Sequence, residues 1–150
     1  MNPKIPPPLT VAFLAAAMWA VDRELPLSRL ESALLAPLAV ALAAGGLLLG
    51  VLAVIAFIRA GTTINPLRPS RATKLITTGV FRYSRNPVYF ADALLLAAWA
   101  TWLGNVCNYL FLLMFIWIIQ RWQIVPEERA LLALFCENYT RYCAQVRRWL

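Results

Sequence analysis

The stretch Leu75-Ile-Thr-Thr-Gly-Val-Phe-Arg-Tyr-Ser-Arg-Asn-Pro-Val-Tyr89 is a polar, cationic segment between two hydrophobic runs. Pro87 has no backbone N–H to lose in a first helical turn, and its ring fixes a helical φ, so a helix is predicted to begin there with Asn86 as its N-cap. The segment would then bring Arg82 and Arg85 to the free amides of a helix N-terminus, at the edge of a hydrophobic layer. Such a place favours an anionic group.

The composition identifies this layer as a membrane. The chain has 150 residues, of which 61% are hydrophobic and 14% charged, which is typical of an integral membrane protein. Its net charge of +7 comes from basic residues that lie between apolar runs, so we expect anionic lipid head groups as partners and no nucleic acid. Without histidine or a CxxC pattern, neither a metal site nor a disulfide framework is expected, and Cys107, Cys136 and Cys143 are predicted to be packing residues.

The apolar runs predict an all-α integral membrane protein with about four transmembrane helices and a C-terminal amphipathic cytoplasmic helix. The first run, Leu9–Val21, would cross only about two thirds of a bilayer core. It spans if it is tilted and extended to Pro6–Leu25, and otherwise it is a re-entrant or interfacial helix. The clearest span is Ser32–Ile58, whose small residues Ala43–Gly46 and Gly50 allow another helix to approach closely. We favour a helix of the same chain over a dimer partner.

A helical hairpin is predicted for the second half of the membrane region. It consists of Pro87–Leu103, a tight turn at Gly104-Asn105, and Val106–Trp122. The connection before it, Arg59–Asn86, contains six basic residues and no acidic one, so it is predicted to be cytoplasmic. Both ends of the chain are then cytoplasmic if the first run spans.

A second proline marks the predicted C-terminal helix. Pro126 should begin it, with Glu127 and Glu128 in the first turn, where acidic side chains suit the helix dipole. Glu128 nevertheless falls on the apolar face, where a glutamate that serves only the dipole would not normally point. Apolar residues at helical spacing form that face: Leu131, Leu132, Phe135, Tyr139, Tyr142, Val146 and Trp149. Polar residues lie largely elsewhere: Arg129, Glu137, Arg141, Gln145 and Arg148.

The segment Thr77–Tyr89, followed by an apolar hairpin and then by Glu127–Tyr142, resembles the isoprenylcysteine carboxyl methyltransferase family. That family belongs to a wider group that includes membrane phospholipid methyltransferases, and the resemblance covers Gly61–Trp149. Family members usually carry histidine where this chain has Asn86 and glycine where it has Ala91. Asparagine keeps a donor and an acceptor but cannot titrate near neutrality, so no proton transfer is expected from this position.

The resemblance implies a single methyltransferase domain over residues 1–150, with N-terminal helices in 1–58 and a core in 59–150 that binds S-adenosylmethionine at the cytoplasmic face. By motif position, the family's cofactor contacts fall on Thr73, Lys74, Leu75, Ile76, Phe81, Asn86, Pro87, Val88, Tyr89 and Glu127. Helix phase and charge add Arg85 and Glu128. No catalytic residue is assigned, because displacement at a sulfonium methyl needs orientation and exclusion of water more than a strong base.

The expected acceptor is a lipophilic or lipidated molecule: an isoprenylcysteine carboxylate, a lipid amine or a thiol. Asp92 and Arg121 are the candidate substrate residues, although Asp92 could be simply hydrated and Arg121 could snorkel to the interface. A small dimeric proton-coupled transporter is the alternative function, and it would carry an acidic residue at the membrane midplane. A structural lipid-binding subunit would explain the basic charge but not the paired glutamates. We favour the methyltransferase, because the polar residues cluster in the cytoplasmic loop and the C-terminal helix.

Overall fold

The computed structural model describes residues 6–25, 30, 32–61 and 74–150. These residues form helices and no strand, which confirms the all-α prediction. A 3₁₀ turn at Gly79–Arg82 precedes the third helix, and a π-helical segment at Gln120–Ile124 joins the fourth to the fifth. The five α-helices are α1 (Pro7–Glu24), α2 (Leu35–Ala60), α3 (Pro87–Leu103), α4 (Asn108–Ile119) and α5 (Val125–Gln145).

Two stretches of the described chain are long and apolar enough to cross a membrane. They are α2 and the continuous helix Asn108–Gln145, whereas α3 is apolar but shorter. The prediction of four transmembrane helices is therefore not confirmed. The first apolar run does form a helix, α1, but its 18 residues include the charged Asp22, Arg23 and Glu24 at its end.

The closest helix pair is α2 and α3, which run antiparallel. A Cβ added to Gly46 would lie only 3.0 Å from the carbonyl oxygen of Ala91, so the small residues of α2 let the two backbones approach. At the other end of α2, the rings of Phe57 and Phe81 meet edge to face with centroids 5.4 Å apart. Gly46 and Gly50 therefore serve packing within the chain, as we favoured, whereas Gly45 faces open space.

The core lies between α1, α3 and α4. The indole of Trp99 donates a 3.1 Å hydrogen bond to the carbonyl of Ala15, which fixes α3 against α1. At the hairpin turn the side chain of Asn105 is fully buried and donates to the carbonyl of Leu25 at 3.0 Å, so the end of α1 is tied to this turn. The buried core residues are Leu14, Met18, Tyr89, Ala93, Leu96, Ala100, Phe115, Ile119 and Ile124.

Pro126 lies in the first turn of α5, as predicted, but α5 continues the preceding helix and does not begin a separate one. The chain is helical without interruption from Asn108 through Pro126, and Ile124, just before α5, already has helical dihedral angles. A proline inside a helix clashes with the carbonyl four residues earlier, here that of Trp122. That carbonyl lies within the wider π-helical segment, which accommodates the proline ring. Glu127 and Glu128 consequently do not occupy the exposed N-terminus of a helix.

The amphipathic face of α5 is partly as predicted. Tyr139, Tyr142 and Val146 are buried together, with Leu131 and Phe135 packed against them. Two features differ: Leu132 is 48% exposed, and the helix kinks at Cys136, whose φ is +44°. The three cysteines are free thiols, and Cys136 is exposed rather than packed.

Candidate active site between the start of α3 and the start of α5

The first turn of α3 lies against the first turn of α5. The phenol of Tyr89, which is buried, donates a 2.7 Å hydrogen bond to Oε1 of Glu127. The fold thus brings together two residues that lie 38 positions apart in the sequence. Tyr89 can meet Glu127 because Pro87 begins α3 as predicted, which places the tyrosine in the first turn of that helix.

Glu128 accepts contacts from two arginines. Arg148 donates two hydrogen bonds to the carboxylate of Glu128, one from Nε at 3.1 Å and one from Nη2 at 2.7 Å. Arg85 approaches the same carboxylate with Nη2 at 3.3 Å. The side chains of Arg85 and Glu128 are 14% and 16% exposed and so are largely shielded from water, whereas that of Arg148 is 35% exposed. The hydrogen bond to Glu128 raises the pKa of Arg148.

The last residues, Val146–Leu150, return to the same place, and we call them the C-terminal segment. The backbone N–H of Arg85 donates to the carbonyl of Arg147 at 3.1 Å, and the side chain of Asn86 donates to the carbonyl of Arg148 at 2.9 Å. The indole of Trp149 donates to Oε1 of Gln120 at 3.2 Å. Asn86 stands at the N-cap position of α3, as predicted, but its side chain makes no capping hydrogen bond and instead donates to the C-terminal segment.

The guanidinium of Arg85 has unused hydrogen-bonding capacity. Its Nη1 contacts the thiol of Cys143, and its Nη2 faces Glu128. Its Nε is buried and has no hydrogen-bond partner among the described residues. A buried donor without a partner costs free energy, so a ligand acceptor at this position would be favoured.

The remaining predicted cofactor residues are placed around this cluster or beside it. The buried Phe81 offers its carbonyl to the hydroxyl of Tyr142 at 2.7 Å, which joins the 3₁₀ turn to the end of α5. Pro87 is buried, and Val88 and Ile76 are partly buried. Lys74 is exposed, and Thr73 lies outside the described residues, as do Arg68 and Arg71.

Two grooves flank the 3₁₀ turn. A polar groove of about 580 Å³ includes the predicted cofactor residue Leu75, and its lining includes neither Arg85 nor Glu128. A second groove of about 690 Å³ has a wall from the last turns of α2 and a rim with Arg59 and Arg82. The polar groove is lined by Leu75, Thr77, Arg82, Asn138, Arg141, Tyr142, Gln145 and Val146.

The two predicted substrate residues lie in different surroundings. Asp92 is partly buried in α3, three positions after Tyr89 and thus on the same side of the helix. Arg121 is exposed on the π-helical segment, next in sequence to Trp122, whose indole meets that of Trp117 edge to face with centroids 5.9 Å apart. It is not among the residues that make the contacts of the charge cluster.

Sequence reasoning missed the role of Arg148. Continued helical phase placed it on the polar face of α5, but α5 ends at Gln145 and Val146 is extended, so the chain turns back. The available signal was Trp149, an apolar residue after two arginines, which packs against the core.

These features define a helical membrane protein with a polar, ion-paired cluster at one end of an apolar hairpin. A family model described as phospholipid methyltransferase matches residues 35–138, more than half of the chain. The chain belongs to this family of membrane methyltransferases, which is related to the isoprenylcysteine carboxyl methyltransferases. An uncharacterized protein of Haemophilus influenzae is 43% identical over 63 residues, which are 42% of this chain and the whole of that protein. No solved structure matches the chain.

Proposed function

We propose that the chain uses S-adenosylmethionine to methylate a lipophilic acceptor at the cytoplasmic face of the membrane. The observation that carries this proposal is the meeting of Arg85 and Tyr89 with Glu127 and Glu128, within a methyltransferase family. The two sequence motifs behind the resemblance are far apart in the chain. Their side chains nevertheless hydrogen-bond and pair with each other.

The residues of this cluster suit the chemical groups of the cofactor. S-adenosylmethionine carries a carboxylate, an ammonium group, ribose hydroxyls and an adenine ring. A carboxylate is matched by the guanidinium of Arg85, whose buried Nε has no partner among the described residues. Carboxylates accept several hydrogen bonds at once, so Glu127 and Glu128 suit the ammonium and hydroxyl groups.

The cofactor, when bound, supplies an electrophilic methyl group on a sulfonium. The protein has to orient the acceptor and keep water out, because the sulfonium is already a good leaving group. The hydrogen bond from Tyr89 fixes the orientation of Glu127, and the pairing with two arginines fixes Glu128. Asn86 contributes an amide that does not titrate, so we assign it to binding and not to proton transfer.

The acceptor side of the site is proposed to include Asp92, one turn along α3 from Tyr89. An ionisable residue in an apolar helix commonly faces a polar partner or cavity. The acceptor itself is an isoprenylcysteine carboxylate, a lipid amine or a thiol carried on an apolar group. We keep Arg121 as a second acceptor contact, and its exposed position requires the acceptor to extend toward the π-helical segment.

Calorimetry with S-adenosylhomocysteine tests this proposal directly. The protein, purified in detergent, should bind it with low-micromolar to millimolar affinity. The free energy of unfolding should rise with ligand excess, by about 2.7 kcal/mol when the ligand is at a hundredfold excess over Kd. Adenosine, which lacks the amino acid part that Arg85 and the glutamates are proposed to hold, is the matched control and should bind more weakly. Folded protein that gives neither heat nor a thermal shift at saturating ligand would contradict the proposal.

A further inference from the structure

Two arginines share Glu128, but they do so unequally. Arg148 makes a bidentate contact through Nε and Nη2. Its Nη2 lies 2.7 Å from Oε2, a typical length for a charge-assisted hydrogen bond. Arg85 lies 3.3 Å from Oε1, which is longer than such bonds usually are. The plane of the Glu128 carboxylate is therefore set mainly by Arg148.

The position of Arg148 is in turn set from the other side of the site. Its carbonyl accepts from the amide of Asn86 at 2.9 Å and faces the hydroxyl of Ser84 at 3.5 Å. The next residue, Trp149, is anchored to Gln120 on the π-helical segment. The C-terminal segment thus connects the loop before α3 to the helix that carries Glu127 and Glu128.

This connection determines what Arg85 can do. Because Arg148 orients Glu128, the carboxylate contacts Nη2 of Arg85, and the thiol of Cys143 contacts Nη1. The Nε of Arg85 then remains buried and without a partner among the described residues. Without Arg148, the carboxylate of Glu128 would be free to turn toward Arg85 and use this capacity itself.

We propose that Arg148 is a positioning residue of the methyltransferase site: through Glu128 it holds Arg85 in the orientation that receives the carboxylate of the cofactor. The inference rests on the function proposed above. It assigns the C-terminal segment to the binding machinery, although Arg148 itself is not proposed to touch the cofactor.

The test is calorimetry of S-adenosylhomocysteine binding to the full chain carrying Arg148→Met, Glu128→Gln, or both. Arg148→Met should weaken binding about ten- to a hundredfold, the usual effect of losing charge-assisted hydrogen bonds. In the Glu128→Gln background the same change should alter affinity less than about twofold, because the arginine acts through that carboxylate. Arg129→Met, an exposed arginine beside Glu128, is the control and should bind like the parent.

Arg148→Lys distinguishes the loss of the two hydrogen bonds to Glu128 from the loss of the positive charge. It also tests the proposal if Arg148→Met does not fold. Lysine keeps the charge but cannot form the bidentate contact, so we expect affinity between those of the parent and Arg148→Met. If Arg148→Met does not fold, Arg148→Lys should still bind a few-fold more weakly than the parent. Thermal unfolding of each ligand-free variant is measured alongside, because a purely structural arginine would lower stability and leave the affinity of the folded fraction unchanged.

The outcomes distinguish this inference from the proposed function. Parent protein that does not bind S-adenosylhomocysteine contradicts both. Parent protein that binds, with Arg148 variants that bind equally well or more tightly, overturns the positioning role and leaves the proposed function intact. Equal losses from Arg148→Met in the parent and in the Glu128→Gln variant would also overturn it, since Arg148 would then act independently of that carboxylate.

Discussion

The hydroxyl of Tyr89 and the carboxylate of Glu127 are joined by a 2.7 Å hydrogen bond between two helices. Tyr89 is 5% exposed, so the bond forms in surroundings from which water is mostly excluded. Shielded hydrogen bonds to a charged group are stronger than exposed ones, and losing one partner leaves the other unsatisfied. The pair therefore couples the geometry of α3 to that of α5.

The acidic pair gives the sharpest test of the proposed cofactor site. If either glutamate accepts a hydrogen bond from the cofactor, its change to Gln should cost about 1.5 to 3 kcal/mol of S-adenosylhomocysteine affinity, measured by calorimetry. We expect a loss of this size from at least one of Glu127→Gln and Glu128→Gln. Glu137→Gln is the control, since Glu137 is exposed and should be silent. Parent-like binding by both folded variants would place the cofactor elsewhere.

A variant at Asn86 tests whether its side-chain amide contributes to binding through the hydrogen bond to the C-terminal segment. Asn86→Ala removes the donor to the carbonyl of Arg148 and should weaken S-adenosylhomocysteine binding by up to about fivefold, because that bond contributes roughly 1 kcal/mol. The pH dependence of binding by the parent should show no step from this position, since an amide does not titrate. Thr140→Ala, a change at an exposed residue of α5, is the control. Unchanged affinity in Asn86→Ala would contradict the assignment.

Two adjacent glycines of α2 provide a matched test of the helix packing. A Cβ at Gly46 would meet the carbonyl of Ala91 at 3.0 Å, whereas one at Gly45 would meet nothing within 4 Å. Gly46→Ala should therefore lower the free energy of unfolding by about 1 to 3 kcal/mol through overpacking. Gly45→Ala should be neutral or raise it by up to about 1 kcal/mol, because alanine favours a helix. Thermal unfolding in detergent measures both, and equal effects would argue against the α2–α3 contact.

The topology of the hairpin can be tested by labelling single cysteines from each side of the membrane. Tyr83 and Val106 are suitable positions, because both are exposed and they lie just before and just after α3. In a background without native cysteines, Tyr83→Cys should label from the cytoplasm and Val106→Cys from the opposite side. Leu150→Cys, at the exposed chain end, should behave like Tyr83→Cys. Labelling of both positions from one side would overturn the predicted topology.

The sequence was most informative where local chemistry decides the structure. The limits of α3 agree with the prediction because Pro87 favours a helix start and Gly104 favours an end, whatever surrounds them. Pro126 does not mark the start of a separate helix, because the π-helical segment before it accommodates the proline ring. Sequence pattern alone does not reveal that segment. The position of Arg148 also depends on the chain turning back after α5, so helical phase placed it on the wrong face. Helix phase did place Glu128 on the buried side of α5, where it meets Arg85.

Helices α2 and α3 differ in length, with 26 and 17 residues respectively. Ala91 of α3 packs against Gly46 and Gly50, so the start of α3 is level with a point on α2 roughly two turns, or on the order of 10 Å, before the end of α2. The start of α3, which carries Tyr89, is therefore set back from the end of α2, and the groove bordered by Arg59 and Arg82 lies along the last turns of α2 beside this step. On the proposed function, we expect an acceptor anchored in one leaflet of the bilayer to reach Tyr89 across this step by sideways diffusion, with its tail still in hydrocarbon.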